Sequence, residues 1–268
     1  MKLKLWQVDA FAERVFEGNP AAIVPLEAWL DDALMQRIAN ENNLAETAFL
    51  VRKGDGRYGL RWFTPSTEVD LCGHATLASA WLIFSELDRA LAVVDFDTRS
   101  GTLTVERGED GRHRMSLPSD IVTPMENTAA LTHEIGAALG TAAPAELYTG
   151  RNILALFADP AEVRAIKGPG KIAKLISSDK GLIATAKGDR GHDFISRYFA
   201  PHHGVPEDSV TGSAHCALAP FWAHRLGKQT LRARQESARG GELICTDAGA
   251  RTVLSGACAL YLRGEIEF

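Results

Sequence analysis

Residues 61–65 read Arg61-Trp62-Phe63-Thr64-Pro65 and recur in the second half of the chain as Arg197-Tyr198-Phe199-Ala200-Pro201. A glycine motif follows each copy: Glu68-Val69-Asp70-Leu71-Cys72-Gly73-His74-Ala75 in the first half and Glu207-Asp208-Ser209-Val210-Thr211-Gly212-Ser213-Ala214 in the second. Weaker matches flank them, from Asn19 and Asn152, which are 133 residues apart, to Arg99 and Arg239, which are 140 apart. A repeat this long predicts two copies of one domain, with a cleft that both copies line.

The composition is typical of a protein with two ordinary domains. With 268 residues and 46% hydrophobic content, the chain is long enough to bury two cores. A formal net charge of -5 without a basic block argues against nucleic acid as a partner. No stretch approaches the roughly 20 apolar residues that a membrane span needs, and the first residues lack the apolar core of a signal peptide. We therefore expect a cytoplasmic protein that binds neither nucleic acid nor membrane.

Metal and cofactor motifs are not found in the sequence. The four cysteines form no Cys-x-x-Cys pair, which argues against both a zinc knuckle and a disulfide framework: Cys72, Cys216, Cys245 and Cys258. Neither a Gly-rich dinucleotide loop nor a phosphate loop is present. The sequence therefore predicts no metal site and no cofactor.

The order of predicted elements is the same in both halves. Short strands come first, then an amphipathic helix (30–40 in the first half), then a strand that leads through Pro into the glycine motif and a helix that is apolar on every side. A helix of that kind must be enclosed. Further strands are expected at 91–96, 102–106, 112–117, 243–246 and 257–263. The predicted fold is α+β, with two pseudo-symmetric domains that are each a mostly antiparallel β-barrel wrapped around a central apolar helix.

The expected domain boundaries follow from these elements. Residues 1–124 form the N-terminal barrel domain, which a C-terminal strand near 257–268 completes, and residues 125–256 form the second. A helix is expected near the start of the second domain, with Thr132 as its cap and Gly140 as its end.

The start of each apolar helix offers unpaired backbone N–H groups and a partial positive charge. Gly73 and Gly212 let an anion approach the backbone closely, with His74-Ala75 and Ser213-Ala214 in the same first turns. One such glycine is more often a tight turn alone, but its occurrence in both copies favours a binding site. The predicted ligand is a small carboxylate.

Five motifs of this chain, in order over both halves, resemble the PhzF (phenazine biosynthesis) family: Asn19-Pro20-Ala21-Ala22, Asn43-Leu44-Ala45-Glu46-Thr47-Ala48-Phe49, Cys72-Gly73-His74-Ala75-Thr76, Arg197-Tyr198-Phe199-Ala200-Pro201, and residues 207–215, which run from Glu207 to His215. This family is similar in fold to diaminopimelate epimerase, which has two pseudo-symmetric barrels around central helices. The resemblance implies proton transfer without a cofactor and a homodimer.

The resemblance also implies roles for single residues. Glu46 is the acid/base that moves a proton between carbons of a small carboxylated metabolite, and His74 and Asp208 orient the substrate or shuttle protons. The expected substrate-binding residues are Asn19, Gly73, Ala75, Gly212 and Ser213. In phenazine producers the substrate is a dihydro-hydroxyanthranilate.

Cys72 supports an alternative reaction. Epimerases of this fold use a Cys directly before Gly in each half, whereas here Thr211 replaces the second thiol and is too weak an acid to act in its place. The second copy also has no obvious equivalent of Glu46 near Gly181. One-base isomerisation is therefore the leading hypothesis. A related epimerase or dehydratase with Cys72 as the base is the second, and a non-catalytic protein that binds a small carboxylate is the third.

Each of these residues also has a structural interpretation. Glu46 would usually be a solvated side chain, and His74 could be satisfied by its own backbone. Asp208 could be a turn or capping residue, Ser213 could cap its helix, and Cys72 could be a small buried hydrophobe.

Overall fold

The computed structural model describes residues 1–268, except for the side chain of His203. The structure is a mixed α/β fold with many strands and few helices. In chain order the strands and α-helices are β1 (Lys2–Ala10), β2 (Asn19–Leu26), α1 (Asp32–Asn42), β3 (Glu46–Gly54), β4 (Arg57–Phe63), β5 (Glu68–Val69), α2 (Gly73–Leu82), β6 (Val93–Thr98), β7 (Gly101–Arg107), β8 (His113–Pro118), β9 (Thr123–Pro124), α3 (Ala129–Leu139), β10 (Glu146–Thr149), β11 (Ile153–Leu156), α4 (Pro160–Ala165), β12 (Leu182–Lys187), β13 (Phe194–Ala200), β14 (Val205–Asp208), α5 (Gly212–Leu226), β15 (Thr230–Gln235), β16 (Gly241–Asp247), β17 (Arg251–Gly256) and β18 (Cys258–Glu267).

The chain divides into two compact units. The first consists of Met1–Leu117 and Leu254–Phe268, and the second of Pro118–Val253. The sequence places the boundary at 124/125, whereas the second unit begins at Pro118 in the structure. The short strand β9 therefore belongs to the second unit, where it pairs with β10. None of the helices in the described part of the chain is both long and apolar enough to cross a membrane.

The strand pairing of the first unit is mixed. Strand β1 pairs antiparallel with β18 and β2, and β2 pairs parallel with β3. Strand β3 pairs antiparallel with β4, which pairs antiparallel with β5 and parallel with β6. Strands β6, β7 and β8 continue as antiparallel neighbours. Antiparallel pairs therefore predominate, but two parallel pairs interrupt them.

The second unit repeats this series. Strand β10 pairs antiparallel with β11, and β11 pairs parallel with β12. Strand β12 pairs antiparallel with β13, which pairs antiparallel with β14 and parallel with β15. Strand β15 pairs antiparallel with β16. The same directions in the same order give each strand from β2 to β7 a counterpart in the second unit. Closure of each sheet into a barrel stays a prediction.

Helix α1 and its ends set the start of β3. Asp31 is the N-cap and accepts a 3.0 Å hydrogen bond from the amide of Ala33. Asn43 ends the helix in the left-handed conformation (φ 49°), a role for which Asn is well suited. Because β3 begins three residues later, Glu46 lies at the first position of a strand that pairs with β2.

Helix α2 is almost entirely buried, as its apolar sequence predicts. It contacts β1, β2 and β3, and its buried side chains include Leu77, Ala78, Ala80 and Leu82. Helix α5 is the counterpart in the second unit, where it packs against β15 and β16 and ends at Gly227 in the left-handed conformation. Both helices begin at the glycines of the repeated motif.

Candidate functional site

The acidic side chain of Glu46 meets the imidazole of His74 in the first unit. Oε2 of Glu46 lies 3.1 Å from Nε2 of His74, and the side chains are 18% and 6% exposed. This is an ion-pair distance without the alignment of a regular hydrogen bond, and the described residues give the buried Oε2 no hydrogen bond of regular geometry. The parallel pairing of β2 with β3, together with the packing of α2 against both strands, brings these two residues together.

The other ring nitrogen of His74 faces two residues that the sequence also singles out. Nδ1 lies 3.2 Å from Nδ2 of Asn19 and 3.5 Å from Sγ of Cys72. Asn19 is the first residue of β2, and Cys72 is the N-cap of α2. In the neutral ring, the amide of Asn19 donates to Nδ1 and the ring proton is on Nε2, facing Glu46; in the imidazolium both ring nitrogens donate, and Asn19 accepts through Oδ1 instead. The structure therefore brings Asn19, Glu46, Cys72 and His74 into one cluster, which we call the Glu46 cluster.

Burial and charge act in opposite directions on His74. Burial disfavours the imidazolium, whereas the neighbouring Cys72 and Glu46 favour it, and the net effect raises the pKa of His74 well above its ordinary value. Burial, followed by the charge of Glu46, raises the pKa of Cys72 to about 11. The two neighbours of the ring thus outweigh the effect of its burial.

The Glu46 cluster contains ligand types that metals use. One ligand atom each from Glu46, Cys72 and His74 lie within 4.8 Å of one another. Glu46 and Cys72 are 26 positions apart, so no local spacing in the sequence could reveal this arrangement.

Asp208 is the expected catalytic partner that lies in the second unit. It is the last residue of β14, and its Oδ2 accepts a 2.6 Å hydrogen bond from the hydroxyl of Thr211. Gln235 donates from Nε2 to the backbone oxygen of Asp208 (2.8 Å) and accepts at Oε1 from the amide of Thr211 (2.9 Å). Sequence analysis missed Gln235, which is fully buried and belongs to no motif.

The two helix starts differ in what surrounds them. Neither N-cap residue, Cys72 nor Thr211, makes a side-chain capping hydrogen bond. Gly73 is partly exposed in the first unit; in the second, Gly212 is buried and Ser213 is exposed. Ala75 is fully buried, and its only polar groups are those of its backbone.

The repeat is not preserved at the position of the second unit that corresponds to Glu46. Phe49 pairs with Arg61 in the first unit and Ala184 pairs with Arg197 in the second, so counting back three residues equates Glu46 with Gly181. The amide of Gly181 donates to Oδ1 of Asn152 (2.9 Å), and the hydroxyl of Tyr198 donates to the same oxygen (3.1 Å). The second unit thus has a glycine beside a phenol where the first has the carboxylate.

The repeat is preserved in a pair of partly buried ionic contacts. Arg61 binds Glu68 through two nitrogens, each at 2.7 Å, and Arg197 binds Glu207 in the same way at 2.6 and 2.8 Å. Both pairs join the strand before the glycine motif to the short strand that leads into it. These repeated motif residues are therefore structural, because they fix the approach of the chain to each helix.

Comparison with known proteins gives a consistent result. The model of the phenazine biosynthesis-like protein family (PhzC-PhzF) matches residues 8–264. A Pseudomonas aeruginosa protein named an uncharacterized isomerase is 48% identical over 266 residues, which cover 99% of each chain. A PhzF-family crystal structure from Enterococcus faecalis has a TM-score of 0.91 at 43% identity and covers 100% of both chains. A PhzC/PhzF structure from Clostridium difficile has a TM-score of 0.89 at 40% identity, over 99% of this chain and 100% of its own.

Proposed function

Because this chain belongs to the phenazine biosynthesis-like (PhzC-PhzF) family, we propose that it is an isomerase that moves a proton between carbons of a small carboxylated metabolite, with Glu46 as general acid/base. The observation that carries the proposal is the 3.1 Å contact between Glu46 and His74. It supports an acid/base role because Oε2 of Glu46 is buried and, apart from this ion pair, no hydrogen bond of regular geometry from the described residues occupies it. The isomerase name of the 48% identical relative supports the reaction class.

In the proposed step, the Glu46 carboxylate removes a proton from an acidic carbon of the substrate. The electron pair that is left behind moves through the conjugated system to a second carbon, to which protonated Glu46 returns the same proton. Atoms and charge balance without a cofactor or an oxidant. His74 sits beside the carboxylate and, as the imidazolium, offsets the negative charge that the substrate develops.

Asn19 would hold His74 in place for this step. Its side-chain amide faces Nδ1 at 3.2 Å, and either end of that amide can meet the ring, because Nδ2 donates to a neutral Nδ1 and Oδ1 accepts from a protonated one. In this proposal Asn19 contributes to substrate binding by fixing the imidazole.

The proposed substrate carboxylate binds at a helix start. The first-turn amides of α2 and α5 follow N-caps whose side chains leave them uncapped, and the partial positive charge there favours an anion. Gly73 and Ala75 would contribute backbone N–H groups in the first unit, and Gly212 and Ser213 in the second. Asp208, held by Thr211, would orient the substrate or take part in proton transfer. A homodimer and a cytoplasmic location belong to the same proposal.

A second candidate reaction uses Cys72 as the base, in an epimerase or dehydratase. The observation that favours it is the contact of Sγ with Nδ1 of His74 at 3.5 Å. Burial argues against it, since burial raises the pKa of Cys72 to about 11 and keeps the thiol protonated near neutral pH.

A solvent-exchange assay separates these reactions. The protein is incubated in heavy water with a panel of small unsaturated and hydroxylated carboxylic acids, beginning with a dihydro-hydroxyanthranilate. Nuclear magnetic resonance then follows both the product and the deuterium at each carbon. Product formation that requires Glu46 and survives Cys72→Ala supports the proposal. Turnover that requires Cys72 and survives Glu46→Gln supports the alternative, and binding without turnover indicates a binding protein.

A further inference from the structure

Three side chains of the Glu46 cluster form an arrangement that resembles a three-ligand zinc site. Nε2 of His74 lies 3.1 Å from Oε2 of Glu46 and 4.0 Å from Sγ of Cys72. Carboxylate, imidazole and thiol are the three side-chain ligand types of protein zinc sites. All three ligand atoms lie within 4.8 Å of one another, and the exposed fractions of His74 and Cys72 are 5% and 6%.

One side-chain rotation would bring the three ligand atoms toward tetrahedral coordination. With zinc bonds of about 2.0–2.1 Å to nitrogen and oxygen and about 2.3 Å to sulfur, neighbouring ligand atoms around the ion lie roughly 3.3–3.6 Å apart. The nitrogen–oxygen separation of 3.1 Å would widen slightly. Sγ of Cys72 lies 3.5 Å from Nδ1 and 4.0 Å from Nε2, so the thiol would have to turn toward the Nε2 side of the ring by a change of rotamer. These are rotamer-scale adjustments, and a water molecule would complete the fourth position.

The charges also favour a divalent cation. A thiolate and a carboxylate neutralise Zn²⁺, so the occupied site carries no net charge into a buried place. Oε2 of Glu46, which accepts no hydrogen bond of regular geometry from the described residues, would gain a metal ion as its partner. On binding, the thiol proton of Cys72 and any second ring proton of His74 leave to the buffer, since a ligating thiol and a ligating nitrogen must both be deprotonated.

We propose that Glu46, Cys72 and His74 bind one zinc ion, and that this ion is a reversible inhibitor of the protein. Zinc on Nε2 leaves Nδ1 protonated, and Asn19 can accept that proton through Oδ1 after a rotation of its amide. Asn19 would therefore act as the outer partner that orients the ligating histidine. Inhibition rests on the proposed function, because the ion occupies the carboxylate and the imidazole that the proton transfer uses. Zinc binding itself does not depend on that function.

Cobalt and zinc titrations test the binding directly. The full chain, freed of metal by a chelator, is titrated with Co²⁺ under reducing conditions and followed by absorbance, and with Zn²⁺ by calorimetry. We expect one Co²⁺ per chain, with a near-ultraviolet thiolate-to-cobalt band and visible bands of tetrahedral intensity. Zn²⁺ should displace the cobalt and abolish both signals.

Variants assign the ligands. Cys72→Ala should lose the thiolate band and weaken zinc binding by more than about 100-fold, whereas Asn19→Ala should weaken it by about 10- to 100-fold. Glu46→Gln should weaken zinc binding but keep the thiolate band, which provides a second test if Cys72→Ala does not fold. Cys245→Ala is the matched control, because Cys245 is also a buried cysteine but lies in the second unit, whereas the Glu46 cluster is in the first. A wild-type protein without a thiolate band, or equal zinc affinity in Cys72→Ala and Cys245→Ala, would overturn the site.

Turnover then tests inhibition separately. Zinc should abolish turnover at the concentration that fills the site, and a chelator should restore it. Zinc binding with undiminished turnover would overturn inhibition. If no acid in the panel is turned over, the proposed function fails, yet the cobalt spectrum still reports on the site.

Discussion

The phenol of Tyr198 lies against Gly181, so closely that a Cβ on Gly181 would be 2.4 Å from the phenol oxygen. Strand register equates Gly181 with Glu46, and Tyr198 is the counterpart of Trp62 in the repeated motif. An acidic side chain therefore has no room at this place in the second unit. The two copies have diverged, and the carboxylate at this position belongs to the first copy alone.

The first prediction concerns this contact. Gly181→Ala should destabilise the protein by about 1–3 kcal/mol, because the new methyl group overlaps a phenol that packing and Asn152 hold in place. Chemical denaturation measures the change. Gly54→Ala is the control, since a Cβ there has no heavy atom within 4 Å. In a Tyr198→Leu background the cost of Gly181→Ala should fall, and equal costs in both backgrounds would contradict the overlap.

A second prediction tests the proposed base. Glu46→Gln keeps the size of the side chain but removes its acid/base chemistry, so turnover should fall by roughly 10²- to 10⁴-fold. Glu41→Gln, at an exposed position on α1, should leave turnover unchanged. Thermal unfolding should show that both variants are folded. Near-normal turnover in folded Glu46→Gln would remove Glu46 from the mechanism.

The raised pKa of His74 gives a third prediction, about stability and pH. A histidine whose pKa is higher in the folded state stabilises that state fully below its ordinary value of about 6.5, and this contribution is lost as pH rises through the folded pKa. The stability advantage of wild type over His74→Gln should therefore shrink as pH increases above 6.5. Denaturant titrations at several pH values measure it.

Glu46→Gln supplies the control for that titration. Glu46→Gln removes one of the two neighbours that favour the imidazolium, so the decline with pH that is due to His74 should become smaller. An unchanged slope in Glu46→Gln would show that Glu46 does not sustain the imidazolium.

Local signals in the sequence predicted the elements well. Gly140 ends α3, and the strands expected near 91–96 and 102–106 are present as β6 and β7. Thr132 was wrong as a cap, because α3 begins earlier, after Thr128. The helical preference of the residues before Thr132 outweighed its capping potential.

The candidate site was harder to predict because its contacts are not local. His74 is 28 residues from Glu46 and 55 from Asn19 along the chain, and their meeting depends on the parallel pairing of β2 with β3. Residue chemistry alone favoured a solvated Glu46, and the family resemblance, not the pattern, selected it. No motif marked Gln235 as a partner of Asp208.

A buried histidine outside the site gives the fourth prediction. Burial, with a smaller effect from Arg107, lowers the pKa of His113 to about 4, and neither ring nitrogen has a hydrogen-bond partner among the described residues. Its contribution is therefore present above pH 6.5 and lost as pH falls toward 4, by up to about 3 kcal/mol. His113→Phe, which keeps a ring against Phe84, should lose less stability than wild type over that range. His133→Phe, at an exposed position, should leave the decline unchanged.

The last prediction tests the helix starts, independently of the family relationship. If the first-turn amides bind a substrate carboxylate, a side chain at Gly73 or Gly212 should keep the anion from the backbone. An anion at a helix N-terminus gains about 1–2 kcal/mol in a partly buried place, so each Val substitution should raise Kd for a bound acid by roughly 5- to 30-fold. Calorimetry on folded Gly73→Val and Gly212→Val measures this, with Gly54→Val as the control in an open position. Weakened binding in one variant alone would assign the carboxylate to that helix, and unchanged affinity in both would eliminate the helix starts as its binding site.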